Sequence, residues 1–315
     1  MSNKIDWSKF EFKDLINVKD NEIDSLPDGV SISTMCASCK FGTILNVLNI
    51  EKYFELNIDD ILCVKMNKDR IRSLIPDKHK SKREKKSKIL ESESEKEKEK
   101  NNYFYNQITV IVRIGFGPII DWDTEPKINL KLFKNGSVQM SGCKLIKNIN
   151  IVLNKLLYKL KIIKAKMENG KIIEKNYIES VDKLTVTNFK IDMINSNYKV
   201  NMQIDRAKLF GLLLKKKIKS SFEPCIRACV IIKYIPIVDN DELKEISIFV
   251  FQKGNIIITG ARRKTHIIGA YKYVNNILLS HSDEISKKNE NDEENLILNL
   301  YNDILKDIEN GLIII

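Results

Sequence analysis

The chain has 315 residues, 43% of them apolar, and carries 53 basic against 42 acidic side chains for a net charge of +11. That apolar share supports a sizeable core and excludes a wholly disordered chain, while six cysteines are too few for a disulfide scaffold and read as reduced thiols of an intracellular protein. The basic excess, with a pI near 9.1, invites an anionic partner, of which nucleic acid is the usual one. The first residues, MSNKIDWSKFEF, contain no apolar leader core, and no run approaches the length of a membrane span, so no membrane partner is expected.

In chain order, an extension at 1–29 precedes a strand at 30–41 and a helix at about 44–56. The strand reads VSISTMCASCKF. It contains Cys36 and Cys39, a spacing that suggests metal, but strand residues three apart face opposite ways. His79, His266 and His281 offer no complementary ligand spacing, so neither metal nor cofactor is expected. Residues 61–66 predict an extra edge strand. Residues 67–102 are dense in charge and nearly free of apolar side chains, which predicts a disordered or partly helical insertion. Its basic part, 78–88, could brush phosphates, although a solvated insertion is the simpler reading.

Beyond it the chain repeats. KLFKNGSVQMSGCKL and FVFQKGNIIITGARR both fit Phe-x2-Gly-x5-Gly, at Phe133, Gly136, Gly142 and at Phe251, Gly254, Gly260, with a constant offset of 118. Upstream, VIVR at 110–113 answers VIIK at 230–233, and each final glycine is followed by a helical pattern. The stretch 161–184 is a linker on this reading. A second strand and helix at 188–202 and 205–216 open the second half, so each half reads strand, helix, several strands, helix. Residues 282–315 form a C-terminal extension, with an amphipathic helix expected at 293–309.

Strand alternation sorts the side chains. Val110, Val112, Leu130, Leu132, Val138 and Met140 share one face with Val230, Ile232, Ile246, Ile248, Val250, Ile256 and Ile258, and must lie under the helices. The other face carries Gln107, Thr109, Ile111, Arg113, Asn129, Lys131, Phe133, Gln139 and Ser141 in the first half. In the second it carries Arg227, Cys229, Ile231, Lys233, Ser247, Phe249, Phe251, Ile257 and Thr259. Aromatic rings beside basic side chains on an open sheet suit nucleic acid.

These residues resemble a known family, the TATA-box-binding proteins. SSFEPCIRACVIIK at 220–233 is similar to the family's SSYEPELFPGLIYR, and FQKGNIIITGA at 251–261 to its FVSGKIVLTGA. In the first half, ISTM at 32–35 resembles VSTV, Cys39 the cysteine that follows it, and VIVRI at 110–114 resembles VIMRI. The resemblance covers about 30–66 and 104–281, and the insertion and the Asn-, Ile- and Lys-rich usage look like variants encoded by large cytoplasmic DNA viruses.

The resemblance implies an α+β saddle: two pseudo-symmetric half-repeats, residues 30–160 and 185–281, form one curved antiparallel sheet with helices on the convex face. It implies a non-enzymatic transcription-initiation factor that binds the minor groove of double-stranded DNA and recruits a transcription-factor-B-like protein and RNA polymerase, in the viral factory, the virion or the nucleus. A repeat within one chain removes the need for a dimer, so a monomer is expected. Carried over residue by residue, Phe133 and Phe251 are wedges, Thr34, Thr259 and Ser141 face the groove, and Ile32 and Ile257 line the floor. Asn188 is the base-bonding asparagine, while Arg113, Lys233 and Arg262 are phosphate contacts.

Three departures stand out. Gln107 and Arg227 replace the second wedge of each half, Val30 stands where the first half would have its asparagine, and Lys131, Gln139 and Lys190 replace apolar floor residues. They imply salt-sensitive binding with a weaker bend and a looser sequence preference. The same departures leave open a packaging or architectural DNA-binding role.

Overall fold

The computed structural model describes residues 5–17, 23, 25–67, 70–76, 106–168, 171–236 and 245–287, together with 301, 304 and 306. Of the helix expected at 293–309 only residues 301, 304 and 306 are described, each helical, and most of the charged insertion lies outside the described residues. By their contacts the residues divide into two compact units, 1–25 with 32–194 and 26–31 with 195–315.

The first unit opens with strand β1 (Ser31–Phe41) and helix α1 (Val47–Tyr53), whose cap residue Asn46 accepts from the Asn49 N–H. Strands β2 (Ile61–Lys65), β3 (Ile71–Ser73), β4 (Gln107–Arg113), β5 (Lys127–Phe133) and β6 (Ser137–Cys143) follow, then helix α2 (Ile146–Lys161). The strands lie in the order β1-β6-β5-β4-β2-β3, each antiparallel to its neighbour. Helix α1 packs on β2 and β4, and α2 on β4 and β6. The extra strand expected at 61–66 is therefore not the edge. Residues 71–73, read from sequence as the start of the insertion, pair with it and become the outermost strand.

Residues 161–184 are not a bare linker. They hold a hairpin of β7 (Lys164–Glu168) and β8 (Lys171–Lys175), and the residues after it return to the first unit's core. Tyr177 and Ile178 are buried, with the Tyr177 ring set edge-on to Phe54 and its hydroxyl donating to the Tyr53 carbonyl. Apolar side chains within a lysine-rich stretch are what pull it back onto the core.

Strand β9 (Val186–Lys199) continues into the second unit, which contains helix α3 (Arg206–Lys215), strands β10 (Ser220–Ser221), β11 (Cys229–Tyr234), β12 (Ile246–Phe251) and β13 (Asn255–Ala261), and helices α4 (Lys264–Ser280) and α5 (Ser282–Ile285). Strands β10 to β13 pair in sequence order, all antiparallel. Asp205 caps α3 by accepting from the Ala207 and Lys208 N–H groups. Within each unit the alternation holds: the aliphatic set from Val110 to Met140, and from Val230 to Ile258, is at most 1% exposed.

The repeated glycine closes the same turn in both halves. Gly136 and Gly254 sit at φ +83° and +77°, a conformation side chains resist. A Cβ on Gly136 would stand 2.6 Å from the carbonyls of Phe41 and Thr43, and one on Gly254 would collide with the Val200 carbonyl. Each glycine carbonyl accepts from the strand end it touches, Phe41 N–H at 2.8 Å and Val200 N–H at 2.9 Å. The turn thereby clasps the end of β1 in one unit and of β9 in the other.

Candidate nucleic-acid interface

The face away from the helices differs between the units. In the first, the register aligns Ser38, Gln139, Lys131, Thr109 and Lys65 in one row across five strands. Beside it runs a row of Cys36, Ser141, Asn129, Ile111 and Cys63. Lys131, Gln139, Asn129 and Ser141 are exposed, and Thr34, Ile32, Thr109, Gln107 and Phe133 are half-buried. Gln107 stands directly across from Phe133. This is a polar, hydrogen-bonding floor with one aromatic ring at its end.

In the second unit the corresponding row is Ser221, Ile231, Phe249 and Ile257. Next to it run Lys233, Ser247 and Thr259, and the Thr259 hydroxyl lies 2.5 Å from Asn195 Oδ1. Phe249, Phe251, Ile257 and Thr259 are all half-buried. This floor is apolar, with its polar groups gathered along one side. Lys65 and Asn195 join these rows without having been singled out in the sequence. Only their parity within a strand, beside residues already sorted, could have signalled them.

Arg113 is a correction. Strand parity puts it on the open face, yet it is 2% exposed. Its Nε donates to Glu125 Oε1 at 2.6 Å, its Nη1 donates to the carbonyls of Gly117 (2.6 Å) and Ile58 (3.2 Å), and Asp59 stands 3.6 Å away. It is at the last position of β4, where the loops at 58–60 and 114–126 fold over it. Those loop acceptors satisfy the guanidinium and leave it no reach toward a phosphate.

The two basic strand ends are also not equivalent. Arg113 stands opposite Lys127, whereas Lys233 stands opposite Ser247. In the same way Gln107 faces Phe133, but Cys229 rather than Arg227 faces Phe251. Strand β11 is thus slipped by two residues relative to the sequence alignment of the halves, a slip that keeps every side chain on its face. Arg227 lies in the preceding turn, exposed, its N–H donating to the Glu223 carbonyl.

Lys233 is partly buried and already paired. Its Nζ lies 3.1 Å from Glu245 and donates to the Ser247 hydroxyl at 2.9 Å, and Lys219 holds the same carboxylate at 2.6 Å. Hydrogen bonds from Lys219 and then Lys233 hold the Glu245 carboxyl below its ordinary range. Arg262 is exposed at the end of β13, and its N–H donates to His266 Nδ1 at 3.4 Å. Helix α4 begins directly after it, with no side-chain cap from Arg263.

Asn188 is exposed and adopts φ +51°, a left-handed conformation that asparagine tolerates. It borders a cleft of the first unit with Lys40, Thr43, Asn135, Ser180 and Lys183. Cys36 and Cys39 lie on opposite faces of β1, as expected from their spacing. Burial pushes the Cys39 thiol up to about 12 and also raises that of Cys36. Among the described residues, no three His, Cys, Asp or Glu side chains cluster as metal ligands, and no helix is long and apolar enough to cross a membrane.

Over 272 residues the chain is 32% identical to a TATA-box-binding protein-like protein of Acanthamoeba polyphaga mimivirus, a match that covers 81% of this chain. It spans 66% of that relative, just under two thirds of its length. Among solved structures, Methanococcus jannaschii TBP aligns over 80% of this chain and 98% of its own, with a TM-score of 0.43 and 15% identity. No family model matches the sequence.

Proposed function

Because this chain belongs to the TATA-box-binding protein-like family, we propose that it is a non-enzymatic factor that binds duplex DNA in the minor groove through the open faces of its two half-repeats. The observation that carries the reading is that the open faces present half-buried Phe249, Phe251 and Ile257 in the second unit and a polar row centred on Lys131 and Gln139 in the first. Minor-groove readers use apolar side chains to displace base stacking, and polar and basic ones to follow edges and phosphates. On this reading the second half supplies the wedge and floor through Phe251, Ile257 and Thr259. The first half grips by hydrogen bonds and charge through Lys131, Gln139, Ser141, Thr34 and Phe133. Ile32, Asn188, Arg227, Lys233 and Arg262 complete the contact set, and Arg113 is left out of it.

The role that follows is transcription initiation, with the helical side presented to a transcription-factor-B-like protein and RNA polymerase. The polar floor of the first half favours a second reading, an architectural DNA-binding protein with little sequence preference. Fluorescence anisotropy against an AT-rich duplex and a GC-rich control of equal length, over a salt series, separates the two. Tight binding to the AT-rich duplex alone, lost in Phe133→Ala/Phe251→Ala, supports promoter recognition. Equal binding with a steep salt dependence supports the architectural role, and no binding to either sinks both.

A further inference from the structure

The N-terminal extension lies on helix α2, within the first unit. Trp7 is buried, its indole N–H donates to Asp60 Oδ2 at 3.1 Å, and its ring meets Phe10 at 4.9 Å and Tyr158 of α2 at 5.7 Å. Phe10 is edge-on to Tyr158 at 5.7 Å and to Phe12 at 5.1 Å. Further along, the helix reads the backbone of the segment. Asn154 Oδ1 accepts from the Lys13 N–H at 3.0 Å, and Asn150 Oδ1 from the Leu15 N–H at 3.0 Å. Both side-chain amides donate back to the Lys13 carbonyl at 2.9 Å.

Asn150 and Asn154 are one helical turn apart and each only 6% exposed. Two carboxamides at that spacing present donors and acceptors to an extended backbone much as a strand edge does. The segment itself covers these amides, and the pair of them matches an extended backbone donor for acceptor. Backbone contacts do not depend on side-chain identity. Selectivity therefore falls to the ring cluster that seats Trp7, Phe10 and Phe12. The groove is particular to this half: 118 residues on, helix α4 has Ile268, Lys272 and Asn276 in place of Asn150, Asn154 and Tyr158.

We propose that the outer face of α2 is a peptide-binding groove for an extended segment bearing an aromatic–x–aromatic pair, and that this chain fills it with its own residues 5–17. A protein partner reaches this helix by displacing that segment, not by docking on a bare surface. The occupant is held through its backbone at Lys13 and Leu15 and through its aromatic rings.

The test uses the full chain and a fluorescein-labelled peptide of residues 5–17. Lys13→Pro/Leu15→Pro removes the two N–H donors of the resident segment without touching the helix. The labelled peptide is expected to bind this variant about tenfold or more tightly than the unaltered chain, whose groove is occupied. Adding Asn150→Ala/Asn154→Ala, with circular dichroism retained, is expected to reverse the gain. Equal binding to loosened and unaltered chains, or a gain that survives loss of the asparagines, overturns the proposal. If the proline variant does not fold, Phe10→Ala/Phe12→Ala takes its place. Failure of both to fold makes the segment a fixed part of the core and likewise overturns it.

Discussion

Replacing Arg113 by methionine keeps the aliphatic stem and removes the guanidinium. The loss comprises the 2.6 Å bond to Glu125, the donations to the Ile58 and Gly117 carbonyls, and the attraction of Asp59. Removing one partner of a buried ion pair costs about 3–5 kcal/mol, because the remaining charge keeps its desolvation penalty. Glu125 retains some exposure, which places the expected cost near the lower end, at about 3 kcal/mol. With a urea m-value of about 2–3 kcal/mol/M, the unfolding midpoint should fall by about 1–1.5 M. DNA binding should be untouched where the chain remains folded. The slope of log affinity against log salt changes by about 0.9 for each phosphate contact removed, and Arg113 makes none on this reading. Lys131→Ala is the mirror case: exposed, it should leave stability within about 0.5 kcal/mol and flatten the salt slope by about one. Near-normal stability of Arg113→Met together with a flattened slope would refute the reasoning, since the guanidinium would then have to leave its cage for a phosphate.

Four further outcomes are expected. Lys155 is fully buried, its ammonium donates to the carbonyls of Asp59, Arg113, Ile114 and Gly115, and burial pulls its pKa down to about 8 from 10.5. The unfolded chain then holds that proton more firmly between the two values. Stability relative to Lys155→Met should therefore rise with pH across that window, by up to about 3 kcal/mol in urea titrations; a constant difference would mean the carbonyl cage keeps the lysine charged throughout. Gly254→Ala should lower stability by about 3 kcal/mol or more in thermal denaturation, from its left-handed backbone and the Val200 carbonyl. Gly211→Ala, in helix α3 with nothing within 4 Å of the new methyl, should raise it by about 0.5–1 kcal/mol. Gln107→Phe sets a second ring across from Phe133 and should increase DNA bending measured by end-to-end FRET, whereas Arg227→Phe, in a turn and not across from Phe251, should change it little. The reverse ranking would contradict the register.

The parts of this fold that the sequence disclosed are those with a period. Alternation in β4, β5, β12 and β13 separated the buried aliphatic face from the open one, and the glycines at Gly136 and Gly254 marked equivalent turns. What escaped had no period or kept the period unchanged. Parity puts Arg113 on the open face, but irregular loops that carry no period, at Ile58 and Asp59 upstream and at Gly117 and Glu125 downstream, close over it. The two-residue slip of β11 moves no side chain to the other face, so pattern alone could not detect it. The hairpin of β7 and β8 could have been found from sequence, because Asn-Gly at 169–170, a strong turn signal, sits between KAKME and KIIEK. The seat of the N-terminal segment had a signal as well: asparagines at 150 and 154 in an otherwise apolar helical stripe, and aromatics at 7, 10 and 12 in an extension with no other apparent purpose.

Glu245 gives the second unit a resident counter-ion. Lys219 and Lys233 share its carboxylate at 2.6 and 3.1 Å, so neither lysine waits for an incoming anion with an empty hand. Contact with a phosphate at Lys233 is then an exchange of one oxyanion for another, and the outgoing one stays tethered beside the site. Such a contact discharges fewer dissolved ions than a bare lysine would. It also sets a threshold: a lone, weakly held anion loses to the carboxylate at its side, and a phosphate fixed in place by the rest of a bound duplex can win.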